Sequence, residues 1–437
     1  MSSTADRGTA PSEEALTGDD GSEQGAVSER RWTAAVVLVV IVTKVVVLAA
    51  GVIWARAGEL SVRDYELNFH HHRLIARYAD PSDIRFFELW VGSDAQWYLA
   101  IAEDGYPSRS EIEAADATSR PKVIANTDVG LKYAFFPLWP VVIRATAFVV
   151  PDLDTAAFSA ANVLSVVALL WLYRLLAGRS GRNAAFWTVT VLACWPFAMF
   201  LHVPFTESLF LLLSVATFAA SEKRRWFWAG VCIGLASVTR PNGIALFVVP
   251  LVRHAAWLWR ERRWDWRESA RLLWLFVAAL PIGAFLVHNA VKTGDPFYFT
   301  RVSEWWGYEP TSVLQNLWNN TAGAVMGFPQ LPIHGFHRSQ IDVAVMALWV
   351  FGLVAGVRVV PAHYTAYGAV VVLIPLMTKG DLMSFSRYAL MAWPVFCVPV
   401  LLLKDKHRAW VLSIASFCLL AFQIRNMGEF VNWHWVG

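Results

Sequence analysis

The chain has 437 residues, of which 56% are hydrophobic, 14% aromatic and only 16% charged, with 23 Trp, 27 Phe and a formal net charge of +3. An average globular chain carries about 25% charged and about 45–50% apolar residues, and here the apolar residues run in long stretches instead of at amphipathic spacing. Composition therefore excludes a soluble enzyme, a secreted disulfide scaffold and a nucleic-acid binder, and predicts an all-α polytopic membrane protein.

Residues 1–30 are polar, setting Asp6, Glu13, Glu14, Asp19, Asp20, Glu23 and Glu29 against Arg7 and Arg30. With little to bury, they read as a disordered acidic cytoplasmic tail. No signal-peptide pattern precedes the first apolar run, 32–54, so this run is expected to stay and to cross once. Arg30 and Arg31 stand before it and put the N-terminus in the cytoplasm. Segment 56–133 then becomes a first extracytoplasmic loop, with 13 acidic residues and no run long enough to cross. A loop of that size is more often a functional element than a spacer.

From 134 onward apolar runs cover 134–150, 156–177, 184–201, 205–221, 226–252, 271–290, 341–357, 362–378, 387–403 and 409–425. Together with the first they predict about eleven crossings. The C-terminus falls outside, with 292–340 as a second extracytoplasmic loop and 31–437 as one integral membrane domain. The basic clusters at 260–271 and 404–408 anchor cytoplasmic ends. Arg179, Arg182 and Lys223-Arg224-Arg225 join them only if 134–150 is re-entrant and 226–252 is a hairpin broken at Arg240-Pro241, which is the preferred arrangement. Cys194, Cys232, Cys397 and Cys418 all lie in apolar segments, without C-x-x-C spacing, and read as buried thiols.

Chemistry is concentrated in a few interruptions of this pattern. Asp94 follows Gly92-Ser93 and heads a helical stretch whose Trp97, Leu99, Ile101 and Tyr106 suit the membrane interface. It reads either as a helix N-cap or as a general base facing a lipid-borne substrate. His202 and Glu207 lie between two apolar runs, Thr239-Arg240-Pro241-Asn242-Gly243 interrupts another, and Ser384-Phe385-Ser386-Arg387-Tyr388 opens a late one. Ionisable residues at membrane depth mark a substrate path or an internal ion pair. Glu207 with Arg240 as a structural pair, and Arg387 as a snorkelling cation, are the alternatives.

The ordered motifs W-Y-L-x-I-A-x-x-G-Y from Trp97, F-F-P-L-x-P from Phe135, T-E-S-L-F from Thr206, T-R-P-N-G from Thr239, G-D-P-x-x-F from Gly294 and S-x-S-R-Y-A-L from Ser384 resemble the PIG-V family of mannosyltransferases. These are polytopic GT-C-type glycosyltransferases that use polyprenyl-phosphate sugars. The resemblance spans Trp97 to Leu390. It implies a GT-C-like fold and an inverting transfer of mannose from a polyprenyl-phosphate carrier to a lipid, glycan or protein acceptor on the extracytoplasmic side. The family carries its acidic residue directly after Trp; here Val91-Gly92-Ser93 separates Trp90 from Asp94, onto which the catalytic acid is mapped. A phosphate leaving group needs only one carboxylate base, unlike the paired carboxyls of inverting glycosidases. Asp94 would take the acceptor proton, and Arg387 and Arg240 would hold the departing phosphate. Glu207, His202 and Asn242 would read sugar hydroxyls, with Trp97 and Tyr98 at the substrate.

No cofactor is expected beyond the donor itself. There is no phosphate-cradling Gly loop, so a nucleotide sugar is not indicated, and no metal is expected. His70-His71-His72 reads as a surface cluster, because adjacent side chains on one element do not converge on one ion. His334 and His337 read first as ordinary polar-loop residues and second as neighbours of the acceptor; Trp305-Trp306 reads first as an interfacial belt and second as a sugar-stacking pair. Gly230 and Gly234 form a G-x-x-x-G spacing that permits close helix packing. A flippase for lipid-linked sugar, or an inactive relative acting as a scaffold, are the competing readings. Transporters commonly show repeated halves, and no internal repeat is present here. The Ala-, Val- and Arg-rich composition points to a bacterial plasma membrane.

Overall fold

A computed structural model describes residues 18–57, 86–118, 129–262, 265–304, 311–326, 338–378, 382, 384–432 and 436. The histidines and tryptophans at 70–72, 305–306, 334 and 337 lie outside the described residues. Among the described residues every regular element is helical and there is no strand.

Among the described residues six helices are long and apolar enough to cross a membrane: Val27–Ala57, Leu153–Ser180, Pro241–Glu261, Trp266–Thr293, Gln340–Val359 and Asp405–Val431. A pair bent by 78°, Phe385–Met391 with Trp393–Leu402, makes a seventh if it counts as one span. This is fewer than the eleven expected, and the reason is visible in the missing runs. Run 134–150 forms a helix of only 9 residues, Leu138–Thr146, about 14 Å long against a hydrocarbon core of about 30 Å. Runs 184–201 and 205–221 fold into helix Arg182–Ala193, the 3-10 helix Pro196–Leu201 and helix Glu207–Glu222, with every residue from 188 to 211 buried. These stretches are apolar because protein surrounds them.

The break expected in 226–252 is present. Helix Trp226–Ser237 stops, Arg240 is extended at φ −153° and ψ 146°, and Pro241 opens the next helical segment. A residue preceding proline is driven out of the helical region, which explains the break. Gly243 packs against the end of the preceding helix: a Cβ there would lie 2.3 Å from the Ala236 carbonyl carbon. Gly230 and Gly234 serve the close packing their spacing predicts. Added Cβ atoms would stand 2.7 Å from Val277 and Pro281 side chains and under 3.0 Å from backbone atoms of Trp274 and Ala278.

The first helix begins at Gly18, so the part of the tail expected to be disordered is helical from there. Its Glu29 pairs with Arg182 at 2.8 Å. At the same end of the bundle, Glu222 receives Arg179 at 3.0 Å, Arg253 at 3.4 Å and His363 at 3.0 Å. Arg408 reaches Asn183 at 3.3 Å, next to Arg182. Basic residues from distant segments thus gather at one end. Around the bundle, Phe276, Phe351, Val354 and Phe417 are each more than two-thirds exposed, an outward apolar surface that a water-soluble monomer does not carry on this extent. The molecule is compatible with a multi-pass membrane protein. Cys194 and Cys397 are buried as expected, but Cys232 is only partly buried and Cys418 is exposed, because its helix is peripheral.

Candidate functional site

The segment between helices Arg182–Ala193 and Glu207–Glu222 is the scaffold of the site. Pro196 and Pro204 prevent a continuous helix, and a buried non-helical backbone must find hydrogen bonds inside the protein. Side chains supply them. Lys44 Nζ and Ser208 Oγ donate to the Leu201 carbonyl at 3.1 and 3.2 Å, and Asn162 Nδ2 donates to the His202 carbonyl at 2.9 Å. Trp139 Nε1 donates to Pro204 O at 2.9 Å and Asn426 Nδ2 to Pro196 O at 3.2 Å. These anchors fix the start of helix Glu207–Glu222, where Glu207 is fully buried.

Asp94 arrives from another direction. Trp90, fully buried, packs against Phe158 and closes on Gly51, where a Cβ would lie 2.8 Å from the indole. Ser93 takes a positive φ of 53°, turning the chain into helix Ala95–Asp104. Asp94 occupies the N-cap position, yet its side chain makes no capping hydrogen bond. It accepts instead from Arg387 Nη1 at 2.6 Å. The apolar face of this helix does not lie in a membrane interface: Tyr98, Leu99 and Ile101 are buried inside the protein, and Trp97 stacks on Phe135 with ring centroids 5.3 Å apart.

Arg387 is held by the third element. Ser386 donates through its backbone N–H (2.8 Å) and its hydroxyl (2.5 Å) to Asp342 Oδ1, which fixes the first turn of helix Phe385–Met391. Arg387 is buried, not snorkelling; its Nε donates to Glu207 Oε1 and its guanidinium lies 4.8 and 4.6 Å from the rings of Phe200 and Phe205. Arg240 Nη1 reaches the same Glu207 oxygen at 2.6 Å, with its guanidinium 5.1 Å from the Tyr388 ring.

Four charged residues from four separate segments therefore meet: Asp94, Glu207, Arg240 and Arg387. Two carboxylates balance two guanidiniums. Glu207 Oε1 serves both arginines, while Oε2 is buried without a hydrogen-bond partner. Asp94 is the most accessible member, its side chain 18% exposed against 9% for Arg240, 4% for Arg387 and 0% for Glu207. Tyr98 borders the group; burial, and secondarily the charge of Asp94, push its phenol up, so it stays a neutral hydroxyl.

Other expected residues lie apart. His202 turns its Nδ1 to Lys44 at 2.9 Å and its Nε2 to Gln423 at 3.3 Å, and no hydrogen bond links it to the four charges among the described residues. Asn242 is partly buried, and no hydrogen bond links it to the four charges among the described residues. Lys44, Asn162 and Asp342 were not singled out by sequence. Lys44 was nonetheless detectable, as a cation inside the apolar run 32–54. No group of three or more His, Cys, Asp or Glu suited to a metal occurs among the described residues. No protein-family model matches the chain, and no curated protein matches it significantly.

Proposed function

We propose that this protein is a membrane glycosyltransferase that moves a sugar, mannose by resemblance, from a polyprenyl-phosphate carrier to a hydroxyl acceptor with inversion. The single observation carrying this reading is the convergence of Asp94, Glu207, Arg240 and Arg387, with Asp94 its most exposed member. Positive-inside bias would put the basic end in the cytoplasm and this cluster toward the extracytoplasmic side.

In the proposed reaction the donor phosphate competes with Asp94 for Arg387. Released from that pair, Asp94 takes the proton of the acceptor hydroxyl. The acceptor oxygen attacks the anomeric carbon as the sugar–phosphate bond breaks. The bonding electrons leave with the polyprenyl phosphate, whose charge Arg387 and Arg240 stabilise by directed hydrogen bonds. Glu207 holds both guanidiniums through one oxygen and offsets their mutual repulsion. The same neutral network also fits a second reading, a clamp that merely ties four segments together, and this is favoured by the complete burial of Glu207.

The test is transfer of labelled mannose from polyprenyl-phosphate mannose in purified membranes with a host lipid extract. Asp94→Asn, inserted at wild-type level, is expected to lose about 10²–10⁴-fold in rate. Equal transfer by wild type and variant would remove Asp94 from the role of base. An unfolded Asp94→Asn protein would favour the clamp.

A further inference from the structure

We propose that the basic end of the bundle holds a binding site for one anionic phospholipid, in the cavity between helices Leu153–Ser180, Glu207–Glu222 and Ala362–Thr378. The cavity has a volume of about 800 Å³ and is lined by Leu170, Trp171, Arg174, Arg179, Lys223 and Tyr364, among others. That volume is within the usual range of ligand sites, about 300–1,000 Å³.

The charge of the lining is unbalanced toward positive. Glu222, its one carboxylate, is already met by Arg179, Arg253 and His363 at 3.0, 3.4 and 3.0 Å. Arg174 and Lys223 have no carboxylate partner among the described residues. Tyr364 is 1% exposed, yet its hydroxyl has no hydrogen-bond partner among the described residues. A buried hydroxyl left unpaired is costly, and a phosphodiester oxygen would relieve that cost once the ring turns to meet it. Arg179 lies 5.4 Å from the ring of the same tyrosine, which sets a second donor beside it.

The remaining wall is apolar and faces outward. Val167 and Trp171 are 44% and 40% exposed on helix Leu153–Ser180, itself long and apolar enough to span. Acyl chains can lie along that face while the headgroup meets the cations, and a tryptophan at the boundary is the usual interfacial anchor. A soluble phosphate would use only half of this surface, which is why the occupant is a lipid. The cavity is not the ion-pair site: Glu207 and Glu222 stand at opposite ends of one helix of 16 residues, about 22 Å apart at 1.5 Å per residue. The inference rests on membrane embedding and is independent of sugar transfer.

The experiment is native mass spectrometry of the full chain in detergent, titrated separately with phosphatidylglycerol and phosphatidylcholine. Wild type is expected to retain the anionic lipid at least about tenfold more strongly, and the double variant Arg174→Ala/Lys223→Ala to lose about 10–30-fold in affinity. Arg260→Ala/Arg267→Ala, at nearby basic positions outside the cavity, is expected to bind as wild type. No headgroup preference in wild type would overturn the proposal, as would unchanged binding by the first variant or equal loss in the second. Should the first variant not fold, a photoactivatable phosphatidylglycerol on wild type decides: adducts within 167–179 support the site, and adducts confined to other peptides overturn it.

Discussion

Glu207 is the residue on which the cluster depends most, because one buried oxygen neutralises two guanidiniums. Glu207→Gln would leave Arg240 and Arg387 facing each other in a low-dielectric site. Breaking a buried pair in this way costs about 3–5 kcal/mol, so thermal unfolding in detergent should show a large drop in Tm. Asp94→Asn removes a partner at the accessible rim and should lower Tm far less while abolishing transfer. An equal loss of stability in both variants would support a purely structural clamp. Asp342→Ala is expected to lose the two hydrogen bonds that hold Ser386, and charge-assisted bonds contribute about 1.5–3 kcal/mol each. Its transfer rate should fall with that loss, whereas Asp342→Asn, which keeps an acceptor, should recover part of it. All four charges were legible in the sequence, since each interrupts an apolar run or sits in a short motif. The Glu207–Arg240 pair was among the sequence alternatives and is present; the pairing of Arg387 with Asp94 and Glu207 was not legible, because residues 94 and 387 share no local geometry. Likewise, the N-cap reading of Asp94 was sound by position and failed because a guanidinium from a distant segment outcompetes backbone N–H groups for its oxygens.

Among the helices, glycine positions separate close packing from open space. Gly234→Val would push a branched side chain into the Ala278 backbone, less than 3.0 Å from the first added carbon, and overpacking of this kind costs about 1–3 kcal/mol. Gly283, in helix Ala279–Thr293, has nothing within 4 Å of an added Cβ. Gly283→Ala should therefore stabilise by about 0.5–1 kcal/mol through helix propensity alone. Chemical denaturation of the two variants beside wild type measures both signs. The break at Arg240-Pro241 could be read from sequence because proline chemistry is local. The fate of runs 184–201 and 205–221 could not. Hydropathy records only that a segment avoids water, and a helix wrapped in protein avoids water as fully as one wrapped in lipid. Burial of every residue from 188 to 211 tells the two cases apart, and it appears only once the packing is known.

For the molecule as a whole, the arrangement of charge makes a topological prediction. Glu29, Arg182, Glu222, Arg224 and Arg408 belong to one end, whereas Arg109 is exposed in the segment expected outside and lies 3.7 Å from a Cβ built on Gly294. In a background with the four native cysteines replaced, Lys223→Cys should react with a membrane-impermeant thiol reagent only after the cells are opened. Arg109→Cys should react in intact cells. The reverse pattern would invert the orientation, and with it the side on which sugar transfer is proposed. The chain's composition was sufficient for the helical class and membrane character, because those follow from summed apolar content and local periodicity. It also marked the residues able to carry chemistry, since a charge in an apolar run is conspicuous wherever it lies. Folding in three dimensions decided how many segments are long enough to cross, which charges neutralise one another, and that Lys44 supports a buried bend while Asp94 reaches the rim. Those outcomes depend on contacts between residues far apart in the chain, and such contacts leave no trace in spacing.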